Sequence, residues 1–322
     1  MKYLITGGSG FIGSHLVDLL VSQGHQVRVL DDFSTGKPGN LAHFLDDSRV
    51  QVVNGSVTSY SEVSEAAVGL DGIFHLAAAV GVFNIVRAPR KSIMTNIQGT
   101  ETVLEVALKN RVPILITSSS EIYGKNTENQ LREDADRVIG APQKLRWSYS
   151  DSKAIDEALA ISMSQEFGLA TKIVRLFNTI GPRQLGEYGM VVPRFVRAAL
   201  KNENIEIYGD GTQSRCFAHV SDVVRAIKLV FDNSNCVGKP INIGVSKEIS
   251  IFNLANKVIA LTQSSSQIVF RDPAEVYASG YEDMARRVPS TELLEKLTGW
   301  RPERTLDDAI ADIAEFMRKE KA

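Results

Sequence analysis

The sequence predicts an α/β protein, a doubly wound parallel sheet carrying a smaller C-terminal lobe. Three observations point there. Short apolar runs alternate with amphipathic stretches through the first half of the chain. A glycine-rich turn follows the first run and opens the first helical pattern, and after about residue 178 the texture becomes loop-rich. Strands buried on both faces read as continuous apolar runs, and strand–helix alternation of this kind builds parallel sheets.

The expected strands cover 2–6, 26–31, 50–54, 72–77, 112–118 and 171–177, and the helices between them 11–23, 59–68, 92–110 and 149–167. Beyond them, loops containing Gly and Pro separate shorter helices at about 192–202, 220–232, 250–261 and 305–319. The stretch "TQSSSQ" (262–267) is a polar loop too short for a linker, and no internal repeat is visible.

Composition excludes several classes. The 322 residues are 43% hydrophobic and 23% charged, enough chain to bury a sizeable core in one or two domains. Thirty-six basic against 38 acidic side chains leave a net charge of −2, which offers no footprint for nucleic acid or an anionic membrane. No apolar run approaches the roughly 18 residues of a membrane span. The five-residue apolar stretch at the start is too short for a signal-peptide core, so a cytoplasmic protein is expected. Cys216 and Cys236 lack any metal-ligand spacing and read as two reduced thiols. The five histidines do not cluster, and no metal is expected.

"TGGSGFIG" carries the first functional signal. Gly7, Gly10 and Gly13, with Phe11 and Ile12 between them, follow a strand and open a helix. Glycines there permit a tight turn and the close approach of a pyrophosphate to free helical N–H groups. Asp31 closes the second strand, 18 residues beyond Gly13, where an acid meets the adenosine ribose hydroxyls. A carboxylate at that point repels a 2′-phosphate, so NAD is expected over NADP. Arg28 and Lys37 are near but not placed as a phosphate clamp. Asp32 reads as a loop acid beside the cofactor, and His75 as a packed sheet-end residue. The small Ala77, Ala78 and Ala79 that follow would let a cofactor lie against the backbone, with Leu76 also beside it. The expectation is therefore a Rossmann-like dinucleotide-binding domain over 1–178. A lobe that is mainly substrate-binding follows over 179–322, with some segments returning to the first domain.

"RWSYSDSK" holds Tyr149 and Lys153 one helical turn apart, on one face. A phenol with a pKa near 10 is a poor base at neutral pH, and a neighbouring ammonium lowers that value. A serine cluster, "SSSEIYG", ends the fifth strand and adds weight to the pair. Glu121 in that cluster raises its own question, because desolvating a carboxylate at the mouth of a buried strand is costly.

Together these motifs resemble the extended short-chain dehydrogenase/reductase family of nucleotide-sugar epimerases, dehydratases and decarboxylases. The resemblance spans essentially the whole chain, including "HLAA", "TNIQGT" with Asn96, "RLFNTIGPR" and "IYGDGTQSRCFAHVSDVV". It implies that Tyr149 and Ser119 handle the proton of the sugar 4-hydroxyl, while NAD takes the C4 hydride. It places Asn96, Lys153, Ser56 and Val57 near the cofactor. Gly55-Ser56 stands where Gly-Asp is usual, which removes an adenine contact. Phe177, Asn178, Val192, Tyr208 and Gln213 are implied beside a UDP-sugar, with Arg215 on its diphosphate. The helices over 92–110 and 149–167 would form a two-fold homodimer interface.

Within the family, 4,6-dehydratases carry Asp-Glu where this chain has Ser120-Glu121, so dehydration is disfavoured. Simple 4-epimerases usually lack a carboxylate at the second position. "SSSEIYG", "RWSYSDSK" and "GYEDMARRVPS" look most like the UDP-glucuronate decarboxylases, and Arg287 matches the arginine which that group uses near the sugar carboxylate. Glu121 would then manage orientation and protons at C5. "GPRQLGEYGMVVPRF" and "RWSY" also occur in uronate 4-epimerases, so a UDP-glucuronate or UDP-hexose 4-epimerase is the alternative. A non-catalytic NAD-binding regulator would be expected to lose Tyr149 or Lys153, and both are present.

Overall fold

A computed structural model describes residues 1–79, 88–186, 190–272, 284 and 286–320. The chain opens with strand β1 (Lys2–Thr6), helix α1 (Phe11–Ser22), β2 (Gln26–Asp31), β3 (Val50–Asn54), α2 (Tyr60–Ala66) and β4 (Gly72–His75). It continues through α3 (Pro89–Asn110), β5 (Ile114–Ser119), α4 (Ser148–Phe167), β6 (Thr171–Leu176) and β7 (Thr179–Ile180). Next come α5 (Val191–Leu200), β8 (Ile205–Tyr208), β9 (Ser214–Cys216), β10 (Ala218–His219), α6 (Val220–Asp232) and β11 (Pro240–Ile243). The last are β12 (Glu248–Ser250), α7 (Ile251–Thr262), β13 (Ile268–Arg271), α8 (Glu292–Thr298) and α9 (Leu306–Lys319).

The main sheet has seven strands in the order β11-β6-β5-β4-β1-β2-β3, every neighbouring pair parallel. The chain reverses its direction of travel across the sheet between β1 and β4. At such a switch point the crossovers leave a crevice at the carboxyl ends of the strands. Register brings the important ends together. Thr6 pairs with Leu30 and with His75, and Ser119 pairs with Leu176. The residues just beyond these positions therefore share one sheet edge.

Both faces are sealed by apolar packing. On one, Leu16, Val17 and Leu20 of α1 meet Val223 and Ile227 of α6, Leu294 of α8 and Trp300. On the other, Val63 of α2, Val103, Leu104 and Ala107 of α3 and Ala160 of α4 cover the sheet. A separate core joins α5, α7 and α9 with β8 in the second half of the chain. Thus 220–243 and 292–300 pack against the first body.

The expected strands and helices form, with shifted ends. β4 stops at His75, and β5 begins at Ile114 and runs on to Ser119. Helix α3 starts at Pro89, three residues earlier than its periodicity suggests, because Pro is pre-organised for a first helical position. The sequence pattern misses the short strands β7 to β13, β11 of the main sheet among them, and helix α8. β11 is four residues with Pro at its first position and polar Asn242 inside, tolerable because it is an edge strand. Cys216 and Cys236 are free and buried. Among the described residues no helix is long and apolar enough to cross a membrane.

Candidate active site

A cavity of about 940 Å³ opens at the carboxyl edge of the sheet. Of the candidate catalytic, cofactor-binding and substrate-binding residues named from the sequence, all but Ser56 and Asn96 line it.

One end is the glycine turn. Gly7 has φ +70°, and a Cβ on it would lie 2.8 Å from the Ala77 backbone nitrogen. A Cβ on Gly13 would collide with the Gly7 carbonyl oxygen. Both positions need glycine, one for its dihedral angle and both for closeness. Asp31 is 7% exposed, and its two oxygens each accept a backbone N–H, from Ser9 and Phe33, at 2.9 Å. Burial nevertheless pushes its pKa up. Arg28 is drawn away, donating to Gln51 and to the Ala66 and Val68 carbonyls. Asp32 takes the Ser34 N–H and hydroxyl, the loop role expected of it. His75 is buried between Thr6 and Thr100, and burial holds it down to about 3, so it is a neutral packed residue.

Asn96 and Ser56 act from behind the lining. Asn96 Oδ1 accepts the Ala79 N–H at 2.8 Å and its Nδ2 donates to Ser152 Oγ at 3.1 Å. It thereby ties the loop after β4 to α4. Ser56 N–H donates to Glu62 at 2.6 Å, and its hydroxyl pairs with Thr58. Gly55 and Val57 face the cavity instead.

The middle of the cavity is built by the end of β5 and the start of α4. Ser119 caps a 3-10 turn over Ser120–Tyr123, its hydroxyl accepting the Glu121 N–H at 3.2 Å. Buried Tyr123 anchors that turn, donating to Asn242 at 2.7 Å and accepting from Arg175 at 2.9 Å. Facing it, Tyr149 hydrogen-bonds with Ser119. Lys153 lies one turn below, with its Nζ 3.1 Å from Asp156.

The sequence predicts a tyrosine made more acidic by its lysine. The structure corrects this: burial raises the Tyr149 pKa, Lys153 pulls it down, and Glu121 raises it further. Lysine acts as expected but is outweighed by burial. Lys153 itself is raised; burial works against that, but Asp156 prevails.

Glu121 is not a solvated loop carboxylate. Its Oε1 is 2.6 Å from Arg287 Nη1 and its Oε2 2.6 Å from Arg146 Nη2. Burial opposes its charge, yet the two guanidinium groups hold it down to about 2. A carboxylate so held is ionised at neutral pH, so it rests with no proton to give and open to accept one. Arg287 also contacts Ser120 Oγ at 3.4 Å and Met284 Sδ at 3.2 Å. Glu282 and Asp283, the alternative partners that the sequence offers for Arg287, lie outside the described residues. Arg146 is the residue the sequence reading missed. Its signal was there: it stands three residues before Tyr149, hence near the same helical face.

The second half of the chain closes the cavity. Arg215, 9% exposed, donates to the Ser214 carbonyl at 2.8 Å. Gln213 donates to the Tyr208 carbonyl at 3.2 Å, and the Arg194 guanidinium lies 4.2 Å from the Tyr208 ring. Asn178 donates to the Cys216 carbonyl at 3.1 Å, and buried Phe177 and Val192 supply apolar wall. An apolar cleft with a few converging cations suits a nucleoside diphosphate attached to a polar group.

Comparison with known proteins gives the same picture. A family model for the NAD dependent epimerase/dehydratase family matches residues 3–244. The UDP-N-acetyl-alpha-D-glucosaminuronate decarboxylase of Bacillus cytotoxicus is 38% identical over 319 residues, covering 99% of this chain and 98% of that one. UDP-glucuronic acid decarboxylase 1 of Xenopus tropicalis is 32% identical over 321 residues, 99% of this chain and 72% of its own. Among solved structures, UDP-glucuronic acid 4-epimerase from Bacillus cereus, in complex with UDP-glucuronic acid and NAD, superposes with a TM-score of 0.89. The two are 25% identical, with 99% of this chain and 100% of that one covered.

Proposed function

Because the chain belongs to the NAD dependent epimerase/dehydratase family, we propose that it is a UDP-glucuronate decarboxylase yielding a UDP-pentose. The observation that carries this reading is Glu121, held between two arginines beside the Tyr149–Ser119 pair.

The glycine turn, closed to any Cβ at Gly7 and Gly13, and buried Asp31 fit a dinucleotide. Gly7, Gly10, Phe11, Ile12 and Gly13 would hold its pyrophosphate, Asp31 its ribose. Bound NAD supplies the hydride acceptor for the sugar C4 and returns the hydride at the end. Tyr149 takes the C4 hydroxyl proton with Ser119 as its partner, and Lys153 stabilises the phenolate. Oxidation at C4 leaves a β-keto acid. The C5–C6 bond then breaks, its electron pair passes into the ketone to give an enolate, and carbon dioxide departs. C5 takes a proton from water to restore the ketone that is finally reduced. Arg287 pairs with the sugar carboxylate until carbon dioxide departs. Arg215 takes the diphosphate, while Tyr208, Gln213, Phe177, Asn178 and Val192 shape the rest. Glu121 orients Arg287 and stays charged throughout.

A second reading, 4-epimerisation of UDP-glucuronate, is supported by the likeness to the Bacillus cereus 4-epimerase. Incubation with NAD and UDP-glucuronate, then with UDP-N-acetylglucosaminuronate, followed by mass spectrometry separates them. Loss of the mass of carbon dioxide from UDP-glucuronate is expected. Unchanged mass with a new sugar makes the protein an epimerase, and decarboxylation of the N-acetylated uronate alone moves the substrate assignment. The reading extends to a cytoplasmic homodimer. Met94 on α3 and Ile155 on α4 are exposed apolar side chains that a second copy would cover.

A further inference from the structure

Two arginines reach Glu121 from separate parts of the fold. Arg146 stands in a 3-10 turn over Leu145–Trp147, directly before α4, its guanidinium 5.2 Å from the Trp147 ring. Arg287 comes from the segment before α8, where Leu131 N–H donates to the Val288 carbonyl at 2.8 Å. Both side chains are largely out of water, at 7% and 6% exposure. Among the described residues, the other ionisable groups facing the Glu121 carboxylate are Tyr149 of α4 and, behind it, Lys153 with Asp156.

One arginine suffices to pair a carboxylate. A second matters when another carboxylate enters. With Arg287 alone, a bound uronate and Glu121 would share one cation, and like charges at that distance drive one acid to take up a proton. Each Glu121 oxygen instead has its own arginine. Arg287 can turn to the incoming carboxylate while Arg146 keeps Glu121 paired.

We propose that Arg146 is a specificity-determining and positioning residue, retaining Glu121 when Arg287 engages the substrate, so that the site accepts an anionic uronate without taking up a proton. This rests on the uronate reading given above and names how that site tolerates a second negative charge. It also accounts for the position of Arg146 three residues ahead of Tyr149, where one turn fixes both the base and the guanidinium.

The test is calorimetric titration of NAD-loaded protein in a Tyr149→Phe background, which holds the chemistry off. UDP-glucuronate is titrated in two buffers of different ionisation heat, so that protons taken up are counted. With Arg146 present, uptake is close to zero. In Arg146→Met about one proton enters per uronate bound, and affinity falls about tenfold per pH unit above the new Glu121 pKa. Binding of neutral UDP-glucose changes little. Arg146→Lys keeps the charge and restores proton-free binding, and adding Glu121→Gln to Arg146→Met abolishes the uptake. If Arg146→Met does not fold, Arg146→Gln carries the same arms. Uronate binding to Arg146→Met without proton uptake, or equal loss for both sugars, overturns the proposal. Wild-type protein that binds UDP-glucuronate but releases no carbon dioxide overturns the decarboxylase reading alone, because the proton count is read without turnover.

Discussion

At Tyr149 three influences compete over one proton. Burial favours the neutral phenol, Lys153 favours the phenolate, and Glu121 opposes it. A base must be deprotonated, so kcat/KM is expected to rise with pH through this ionisation. Lys153→Met removes the stabilising charge and moves the rise toward alkali by ~1–3 units. Glu121→Gln removes the opposing charge and moves it toward acid. A pH profile indifferent to both variants would show that Tyr149 is not the group being titrated. Tyr149→Phe should itself cost about 10²–10⁴-fold in turnover while leaving NAD bound. These roles follow from chemistry that one residue and its immediate neighbours display. Tyr149 and Lys153 were legible as a pair because helical spacing fixes their common face. The pairing of Glu121 with Arg287 was not, since 166 positions separate them.

Elements decide whether those residues arrive in register. The 3-10 turn after β5 is clamped by Tyr123, whose hydroxyl bridges Asn242 of β11 and Arg175 of β6. The strand that sequence pattern overlooked therefore supports the residue that sequence pattern singled out. Behind the opposite face, Trp300 follows α8 and packs among α1 and α6, its Nε1 donating to the Asp222 carbonyl at 3.0 Å. Trp300→Ala deletes a large, 2% exposed side chain and leaves that carbonyl without its donor. The expected cost is about 3–5 kcal/mol, read as a lower urea midpoint at unchanged slope. A loss below about 1 kcal/mol would mean that the return of α8 to the first body contributes little to its packing.

For the whole molecule, stability should weaken in acid through two buried histidines. Burial holds His15 down to about 4 and His75 down to about 3, both below the ordinary 6.5. Their unfolded forms bind protons that the folded forms refuse, so this stability is fully present above about pH 6.5. It drains away as pH falls toward those lower values. His15 also joins the two halves of the chain, hydrogen-bonding the Pro182 carbonyl at 3.0 Å. The urea midpoint is expected to drop between pH 7.5 and pH 5, and less steeply in His75→Asn. An identical slope in that variant would remove His75 from the account.

Sequence alone determined the parallel sheet, the dinucleotide turn and the Tyr149–Lys153 pair, because each is written in local periodicity or short spacing. Gly7, Gly10, Gly13 and Asp31 were readable for that reason. Tertiary structure alone decided the charge state of the site. Arg146, Glu121 and Arg287 come from three separate segments. Only their convergence at 2.6 Å holds Glu121 as an anion, and burial, with Glu121 adding to it, makes Tyr149 a reluctant base. Electrostatic energy depends on distance and on exclusion of water, and neither is a property of residue order.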